Sequence, residues 1–123
     1  MEHSLERRSR CRVAVGAEHA IRFTAKGHTF QNVRITNISI TGCFAMVSQR
    51  DVALFAQGTW LENFAFEHPD LILGPITAKV MYTLGGASEG STFDFMGVGI
   101  HFVSMDDGSR MQLEDFLALS LKP

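Results

Sequence analysis

The alternation of apolar and polar side chains along much of the chain most strongly limits what it can fold into. Residues 21–24 place Ile21 and Phe23 on one face, and residues 33–36 do the same with Val33 and Ile35. A period of two is the pattern of a half-buried β-strand, because successive side chains of a strand point to opposite faces. Four further stretches also have strand-like patterns, at 43–47, 59–67, 76–84 and 92–103. The sequence therefore predicts six short strands and a mainly β fold.

The first two strands are predicted to form a hairpin whose loop contains an odd number of residues. Opposite residues of an antiparallel pair lie on the same face of the sheet, and here both apolar sets are odd-numbered. A three-residue loop, Lys26-Gly27-His28, would pair Ile21 with Val33, whereas a five-residue loop would pair Ile21 with Ile35. Both registers remain open on the sequence alone.

Either register brings the start of the chain close to Asn37. The return strand would end with Asn37 opposite Ala17 or His19, and the N-terminal segment enters at that same end of the hairpin. We therefore expect Arg12 to lie near Asn37 in space, although the two residues are 25 positions apart in sequence.

The periodicity changes to that of a helix at the C-terminal end. Ser109 followed by Gln112 matches a capping box, and Leu113, Phe116 and Leu117 then form an apolar stripe at helical spacing. These residues predict a helix over about 109–120. Six strands and one helix in a chain of this size indicate a small six-stranded antiparallel β-barrel with the helix packed against it.

Two segments differ in composition. Residues 1–16 are polar and basic with no periodicity that would bury them, and we expect an N-terminal arm that is mobile until something orders it. Residues 17–123 are expected to form a single barrel domain.

Composition limits the classes of function open to the chain. The 123 residues are 46% hydrophobic and 20% charged, and the sequence pI is about 6.2, so an ordinary globular domain is expected. A near-neutral pI argues against a general nucleic-acid binder, which needs a broad basic face. No apolar run approaches the roughly 18 residues of a membrane span, and no apolar segment of a secretory signal follows the charged N-terminus. We expect a soluble, cytoplasmic protein without membrane insertion.

The residues that commonly carry catalysis or metal binding are scattered along the chain. The five histidines have no spacing typical of a zinc site. Cys11 and Cys43 lie far apart and outside any metal-binding pattern, so we expect reduced thiols, with a single disulfide as the alternative. The sequence thus predicts no enzyme, no metal site and no cofactor.

An arginine cluster near the N-terminus is the most unusual local feature. Arg7, Arg8, Arg10 and Arg12 are four of the eleven basic residues, in a chain whose formal net charge is −2. Like charges this close repel one another unless an anion offsets them. The guanidinium fork suits bidentate contact with phosphate or with the O6/N7 edge of guanine. A solvated basic tail is the alternative interpretation.

Two motifs together resemble the signature of the PilZ domain family. "RRSRCRV" contains RxxxR, at Arg8 and Arg12, and "NISITG" matches (D/N)xSxxG, at Asn37, Ser39 and Gly42. "GVGIHFVSMD" before the final helix is similar to the last barrel strand of that family. The resemblance extends over nearly the whole chain. It implies a PilZ-like six-stranded barrel that binds the bacterial second messenger cyclic di-GMP and is not an enzyme.

The resemblance also implies roles for the arginines. Arg8 and Arg12 would contact guanine edges and phosphates as the arm folds over the ligand. Arg7 corresponds to the extra basic residue that many members carry before the motif, and Arg10 is a further candidate for phosphate contact.

For the second motif, the resemblance implies hydrogen bonds from Asn37 and Ser39 to guanine or phosphate, and a close approach of the backbone at Gly42. Many members have aspartate where this chain has Asn37. An amide accepts one hydrogen bond fewer from guanine than a carboxylate, so we expect binding weakened by about 1 kcal/mol rather than lost.

Three functional hypotheses follow. The first is a cyclic di-GMP receptor in which the ligand orders the arm and the altered surface signals to a protein effector. The second is an interaction adaptor that keeps the fold without binding ligand. The third is a nucleic-acid or membrane-surface binder that uses the arm alone, which explains the arginines but leaves "NISITG" without a role.

Overall fold

The chain forms a closed antiparallel barrel with one C-terminal helix. The computed structural model describes residues 12–85 and 94–121. The strands are β1 Val13–Ala14, β2 Ala20–Ala25, β3 His28–Ser39, β4 Gly42–Ser48, β5 Trp60–Phe66, β6 Ile76–Leu84 and β7 Phe95–Met105. A 3₁₀-helix, Gln49–Phe55, follows β4, and helix α1, Asp107–Leu121, follows β7.

Six of these strands make the barrel wall, which confirms the predicted fold class. The order around the barrel is β3-β2-β5-β6-β7-β4, and pairing between β3 and β4 closes the ring. Every pairing is antiparallel. The short strand β1 adds to the C-terminal half of β3, so the described end of the predicted arm is attached to the barrel.

The first hairpin has the predicted pairing of Ile21 with Val33 but a different turn. Ala25 pairs with His28, so the loop is the two residues Lys26-Gly27, both of which have positive φ (49° and 83°). Such a turn matches the twist of the flanking strands. The prediction of an odd loop was wrong, because a β-bulge in β3 at Gln31–Asn32 supplies the extra residue.

Apolar side chains of the strands fill the barrel interior. Phe23 packs edge-to-face on Phe55 from the 3₁₀-helix, with ring centroids 5.9 Å apart, and Phe64 packs likewise on Phe102 at 5.5 Å. All four rings are at least 94% buried. Burial of this much aromatic surface is the main source of stability in a domain of this size.

Helix α1 begins two residues before its predicted start, and its cap is Asp106. The Asp106 carboxylate accepts hydrogen bonds from the Ser109 backbone N–H at 3.1 Å and from the Ser109 hydroxyl at 2.6 Å, which lower the pKa of Asp106. The predicted cap at Ser109 was wrong, because Ser109 lies inside the first turn, where its Oγ accepts from the backbone of Gly74 at 2.7 Å. The predicted stripe is confirmed at Leu113 and Leu117, which are buried in the core.

A pair of stacked histidines lies beneath the helix. The rings of His19 and His68 are parallel, with centroids 4.0 Å apart, and both meet the edge of Phe116. His19 is 6% exposed, and within the described residues its Nδ1 has no hydrogen-bond partner. Burial lowers the pKa of His19, and the neighbouring His68 lowers it further, while Glu18 and Asp70 act in the opposite direction.

We predict that the free energy of unfolding decreases as the pH falls below the ordinary histidine value of 6.5. In that range the unfolded chain binds a proton at His19, whereas the folded chain resists protonation until a lower pH, so protons favour unfolding. Urea titrations near pH 7.5 and pH 5.5 should show a larger loss for the wild type than for His19→Phe, which keeps a ring against His68. The exposed His28 offers a control, and His28→Gln should behave as wild type. An equal loss in His19→Phe would contradict the assignment.

Strand β4 approaches β7 most closely at Gly42, which pairs with His101. A Cβ atom at Gly42 would overlap the backbone carbonyl oxygen of Ile100, and a backbone atom in a closed barrel cannot move aside as a side chain can.

Gly42→Ala should therefore lower the free energy of unfolding by about 1–3 kcal/mol or more, the usual cost of forcing an extra carbon into a packed site. Urea denaturation followed by the fluorescence of the single tryptophan, Trp60, measures this directly. Wild-type stability in Gly42→Ala would show that the two strands can separate without cost.

Candidate functional site

The two sequence motifs meet at one end of β3. Strand β1 pairs Val13 with Ile38 and Ala14 with Asn37, and this register brings the preceding residue, Arg12, over the strand. Nη1 of Arg12 donates a hydrogen bond to Oδ1 of Asn37 at 2.8 Å. The predicted proximity of these two residues is thus confirmed, although Asn37 pairs with Ala14 and Phe44 rather than lying opposite Ala17 or His19.

A second β-bulge directs Asn37 out of the barrel. Ile35 pairs with Ala45 and Asn37 with Phe44, so Thr36 is an extra residue on β3. Ile35 and Ile38, three positions apart, are both fully buried, whereas strict alternation would have placed Asn37 on the same inner face as Ile35. Bulges commonly re-aim a side chain in this way. Asn37 is consequently half-buried on the outer surface, within reach of Arg12.

Ser39 organises the tight turn between β3 and β4. Its hydroxyl oxygen lies 3.0 Å from Oγ1 of Thr41, accepts from the Thr41 backbone N–H at 3.2 Å and donates to the carbonyl of Gly42 at 3.3 Å. One donated and two accepted hydrogen bonds use the full capacity of a serine hydroxyl. Ser39 is 1% exposed, so in this structure its side chain serves the turn.

Gly42 is the glycine of the second motif, and its closest neighbour is β7. A Cβ atom at Gly42 would meet the backbone carbonyl oxygen of Ile100, so the space beside this glycine is taken by β7. Contact of Gly42 with a ligand remains a prediction.

A row of outer-surface residues extends sideways from Asn37. Asn37 pairs with Phe44, Phe44 with Gly99, and Gly99 with Tyr82, so these residues of β3, β4, β7 and β6 are lateral neighbours. The Tyr82 ring occupies the space above Gly99, and the Phe44 ring occupies the space above Gly97. The ring centroids are 6.2 Å apart, and Tyr82 is 42% exposed. We call Phe44 and Tyr82 the aromatic ledge.

Sequence reasoning missed the aromatic ledge. "GVG" belongs to the stretch that resembles the last barrel strand, and two glycines at the spacing of one strand face also mark a place where something packs closely on the sheet. That signal, beside a strand containing Tyr82, was the one that could have found it.

Cys43 lies directly behind the site, on the inner face. It pairs with Ile38 and is fully buried. Burial raises the pKa of the Cys43 thiol far above its ordinary range, and the nearby charge of Arg12 only partly opposes this shift. Cys43 is therefore an unreactive core residue.

The remaining predicted site residues fall outside the described part of the chain. Arg7, Arg8 and Arg10 precede residue 12, as does Cys11, so no contact of theirs is described. Between residues 12 and 85 and between 94 and 121, no group of three or more histidine, cysteine or acidic side chains is placed to hold a metal ion. Nor does any helix in these two segments have the length and apolar character needed to cross a membrane.

A shallow groove of about 420 Å³ opens where β3 and β4 diverge. Its walls come from the bulge of β3 and the end of β4, including Arg34, Met46, Asp51 and Phe95, and neither Arg12 nor Asn37 lines it. The groove is therefore separate from the Arg12–Asn37 site.

Comparison with solved structures finds the same fold in bacterial proteins. MrkH of K. pneumonia in its apo state aligns with a TM-score of 0.75 at 15% identity, covering 90% of this chain and 48% of that one. The MrkH–c-di-GMP complex aligns with a TM-score of 0.71 at 17% identity, covering 90% and 51%. This chain therefore spans about half the length of MrkH.

The PilZ domain of YcgR from Escherichia coli, solved with c-di-GMP, matches over most of both chains. It aligns with a TM-score of 0.70 at 13% identity, covering 92% of this chain and 90% of that one. At such identities the likeness establishes the fold. A search of curated proteins found no match.

The sequence of the chain was also compared with models of protein families. The sequence model of the PilZ domain matches residues 6–119, a span that includes the arginine cluster, "NISITG" and helix α1 up to its last turn. With the closed barrel and the adjoining motifs, this match over nearly the whole length shows that the chain belongs to the PilZ domain family.

Proposed function

We propose that this chain is a non-catalytic receptor for cyclic di-GMP, which binds between the arginine-rich N-terminal segment and the outer end of β3. The observation that carries the proposal is the 2.8 Å hydrogen bond from Arg12 to Asn37, which joins the two family motifs in one site. Support also comes from the PilZ family match and from the c-di-GMP complexes of MrkH and of the YcgR PilZ domain.

The chemistry of Arg12 suits this ligand. A guanidinium has five N–H donors, and the bond to Asn37 uses one of them. Arg12 is exposed, and it is held by a paired strand rather than by a free tail. Such a donor array can meet a phosphate or the O6/N7 edge of guanine with little further loss of conformational freedom.

We assign the other site residues by their surroundings. Arg8 and Arg7, with Arg10 as a further candidate, would reach the ligand from the segment before Arg12. Asn37 would contact a guanine edge directly. Ser39 and Gly42 would act chiefly by shaping the turn that follows, since the Ser39 hydroxyl is satisfied within that turn.

The output of the receptor would be a protein contact in the cytoplasm. Binding would draw the arginine segment onto the barrel and change the surface beside β1, which a protein effector could recognise.

Isothermal titration of cyclic di-GMP tests the receptor. Arg8→Ala and Arg12→Ala should each weaken binding by about 1.5–3 kcal/mol, or roughly 10- to 150-fold, because each removes a charged hydrogen bond. Arg22→Ala, at an exposed arginine on β2, is the matched control and should bind as wild type. Repeating the series at higher salt separates a specific site from general polyanion binding, which weakens steeply with salt.

The absence of binding by folded wild-type protein would refute the receptor. It would favour the alternative, a ligand-independent PilZ-type interaction adaptor, and the arginine cluster would then need another anionic partner.

Asn37→Asp should bind cyclic di-GMP a few-fold more tightly than the wild type. The Asn37 oxygen already accepts from Arg12, whereas a carboxylate can pair with Arg12 and still accept from the N1–H and amino groups of guanine. A gain of about 1 kcal/mol is expected, as for one additional hydrogen bond. Equal or weaker affinity would mean that Asn37 does not read the guanine edge, or that an Asp–Arg12 ion pair withholds the arginine from the ligand.

A further inference from the structure

We infer that the groove between β3 and β4 is a docking site for an extended peptide segment of a partner protein, which would add as a strand to the free edge of β3 and place an acidic side chain beside Arg34. The groove lies outside both sequence motifs, and the inference stands whether or not the chain binds cyclic di-GMP.

Residues 29–34 of β3 are paired along one edge only. Strand β2 pairs with them on one side, across the bulge, but pairing with β4 on the other side begins only at Ile35. Strand β4 likewise has no β3 partner after Ala45, although it continues alongside β7 to Ser48. Within the described residues, the groove thus separates two strand edges that face each other without pairing. We call the groove-facing edge of residues 29–34 the open edge.

Backbone donors on both walls point into the groove. The N–H of Ile35 donates to the carbonyl of His19 on the β2 side, so the N–H of Arg34, one residue earlier, points to the opposite side. The N–H of Gln49 donates toward β7, and by the same alternation the N–H of Ser48 points toward β3. Unpaired groups of this kind are a ready template for an added strand.

The other end of the open edge has the same character. Ala25 and His28 flank a two-residue turn and therefore form a hydrogen-bonded pair. The next pair, Thr24 and Thr29, is then of the non-hydrogen-bonded kind, which agrees with a distance of 3.3 Å between their Oγ1 atoms. The N–H and C=O of Thr29 consequently point away from β2. An added strand would find backbone partners at both ends of the edge.

The groove also offers apolar surface to the side chains of such a strand. Phe30, Met46 and Phe95 line it, and Phe95 is 59% exposed. When a peptide adds to a sheet edge, main-chain hydrogen bonds supply affinity and pockets for alternate side chains supply specificity. The open edge and this lining provide both.

Charge complementarity sets the chemistry of the partner. Arg34 is exposed on the β3 wall, and it takes part in neither of the ion pairs formed within the described residues. Asp51 lines the groove from the 3₁₀-helix that follows β4. A strand added to the open edge would run next to Arg34. We therefore expect an acidic side chain there, because opposite charges on adjacent strands stabilise the pairing and like charges oppose it.

A bulge and a charged side chain can also serve only to protect a strand edge from unwanted pairing. The open edge has both, in the bulge at Gln31–Asn32 and in Arg34. The test must therefore separate docking from protection. A docking site accepts an incoming strand and selects its charge, whereas a protected edge accepts none.

Nuclear magnetic resonance of the nucleotide-free protein with synthetic peptides of about nine residues, within the range of ordinary strand lengths, makes this separation. The first peptide alternates valine and threonine around a central glutamate, and the second has lysine in that place. The third is the first peptide with its backbone nitrogens methylated, which removes its donors. The first should shift the amide signals of Thr29, Arg34 and Ser48 and slow their hydrogen exchange, whereas the third should do neither.

Arg34→Glu reverses the charge beside the open edge. The wild type should bind the glutamate peptide about 2- to 5-fold more tightly than the lysine peptide, as for one cross-strand charge pair, and Arg34→Glu should show the opposite order. Arg22→Glu is the matched control and should keep the wild-type order, because Arg22 is an exposed arginine on β2, a strand already paired with β3 and β5.

Unmoved amide signals at Thr29, Arg34 and Ser48 with both unmethylated peptides at millimolar concentration would overturn the docking site. So would an unchanged order of the two peptides in Arg34→Glu. Slow amide exchange at these residues without peptide would also overturn it, since the edge would already be covered, by the chain itself or, if dilution speeds the exchange, by a second copy. Because no nucleotide is present, none of these outcomes bears on the receptor.

Discussion

The closure of the barrel through β3 is the constraint on which the rest of the structure depends. This twelve-residue strand pairs with β2 along its first part, and with β4 on one side and β1 on the other along its last part. Over this length β3 changes neighbours while Val33, Ile35 and Ile38 all stay buried in the core. The two bulges, at Gln31–Asn32 and at Thr36, allow the change by bending the strand and resetting its alternation.

The same closure produces the candidate site. Because β4 joins β3 only from Ile35 onward, the second bulge falls immediately before Asn37 and turns that side chain out of the core. Strand β1 then completes the sheet beside it and delivers Arg12. Behind these polar groups, Ile38 and Cys43 are fully buried, so the site stands on a packed and unreactive wall. Arg12 and Asn37 are thus held in place on this wall by their mutual hydrogen bond.

The residues of the second motif divide between the outer surface, the core and a turn. In "NISITG", Asn37 faces outward, Ile38 faces the core, Ser39 holds the turn and Gly42 makes room for β7. The spacing of the motif thus reflects the geometry of a strand end and its turn as much as the chemistry of a ligand. Substitutions at Ser39 or Gly42 are therefore expected to disturb the turn and the pairing of β4 with β7.

Several features followed from local sequence alone. The period-two pattern of 21–24 and 33–36 predicted strands, the stripe at Leu113 and Leu117 predicted the helix, and an antiparallel return of β3 was enough to bring Asn37 back to Arg12. Each of these depends on neighbours in the chain or on one hairpin. The position of the helix cap was harder to predict from the sequence, because Asp106 and Ser109 are both good capping residues. In the structure Asp106 is the cap, and Ser109 lies inside the first turn, where it bonds to Asp106 and to the backbone of Gly74.

By itself, the sequence determined the strands, the helix, the barrel class and the meeting of the two motifs, because these arise from periodicity and from contacts within one hairpin. Only the tertiary structure decided the outward direction of Asn37, the turn-holding role of Ser39 and the aromatic ledge. The bulge at Thr36 has no signal in its own side chain, since it results from β4 joining a strand already paired with β2. Likewise, Phe44 on β4 is far in sequence from Tyr82 and Gly99, which lie on the consecutive strands β6 and β7, and only the pairing of β4 with β7 makes them neighbours.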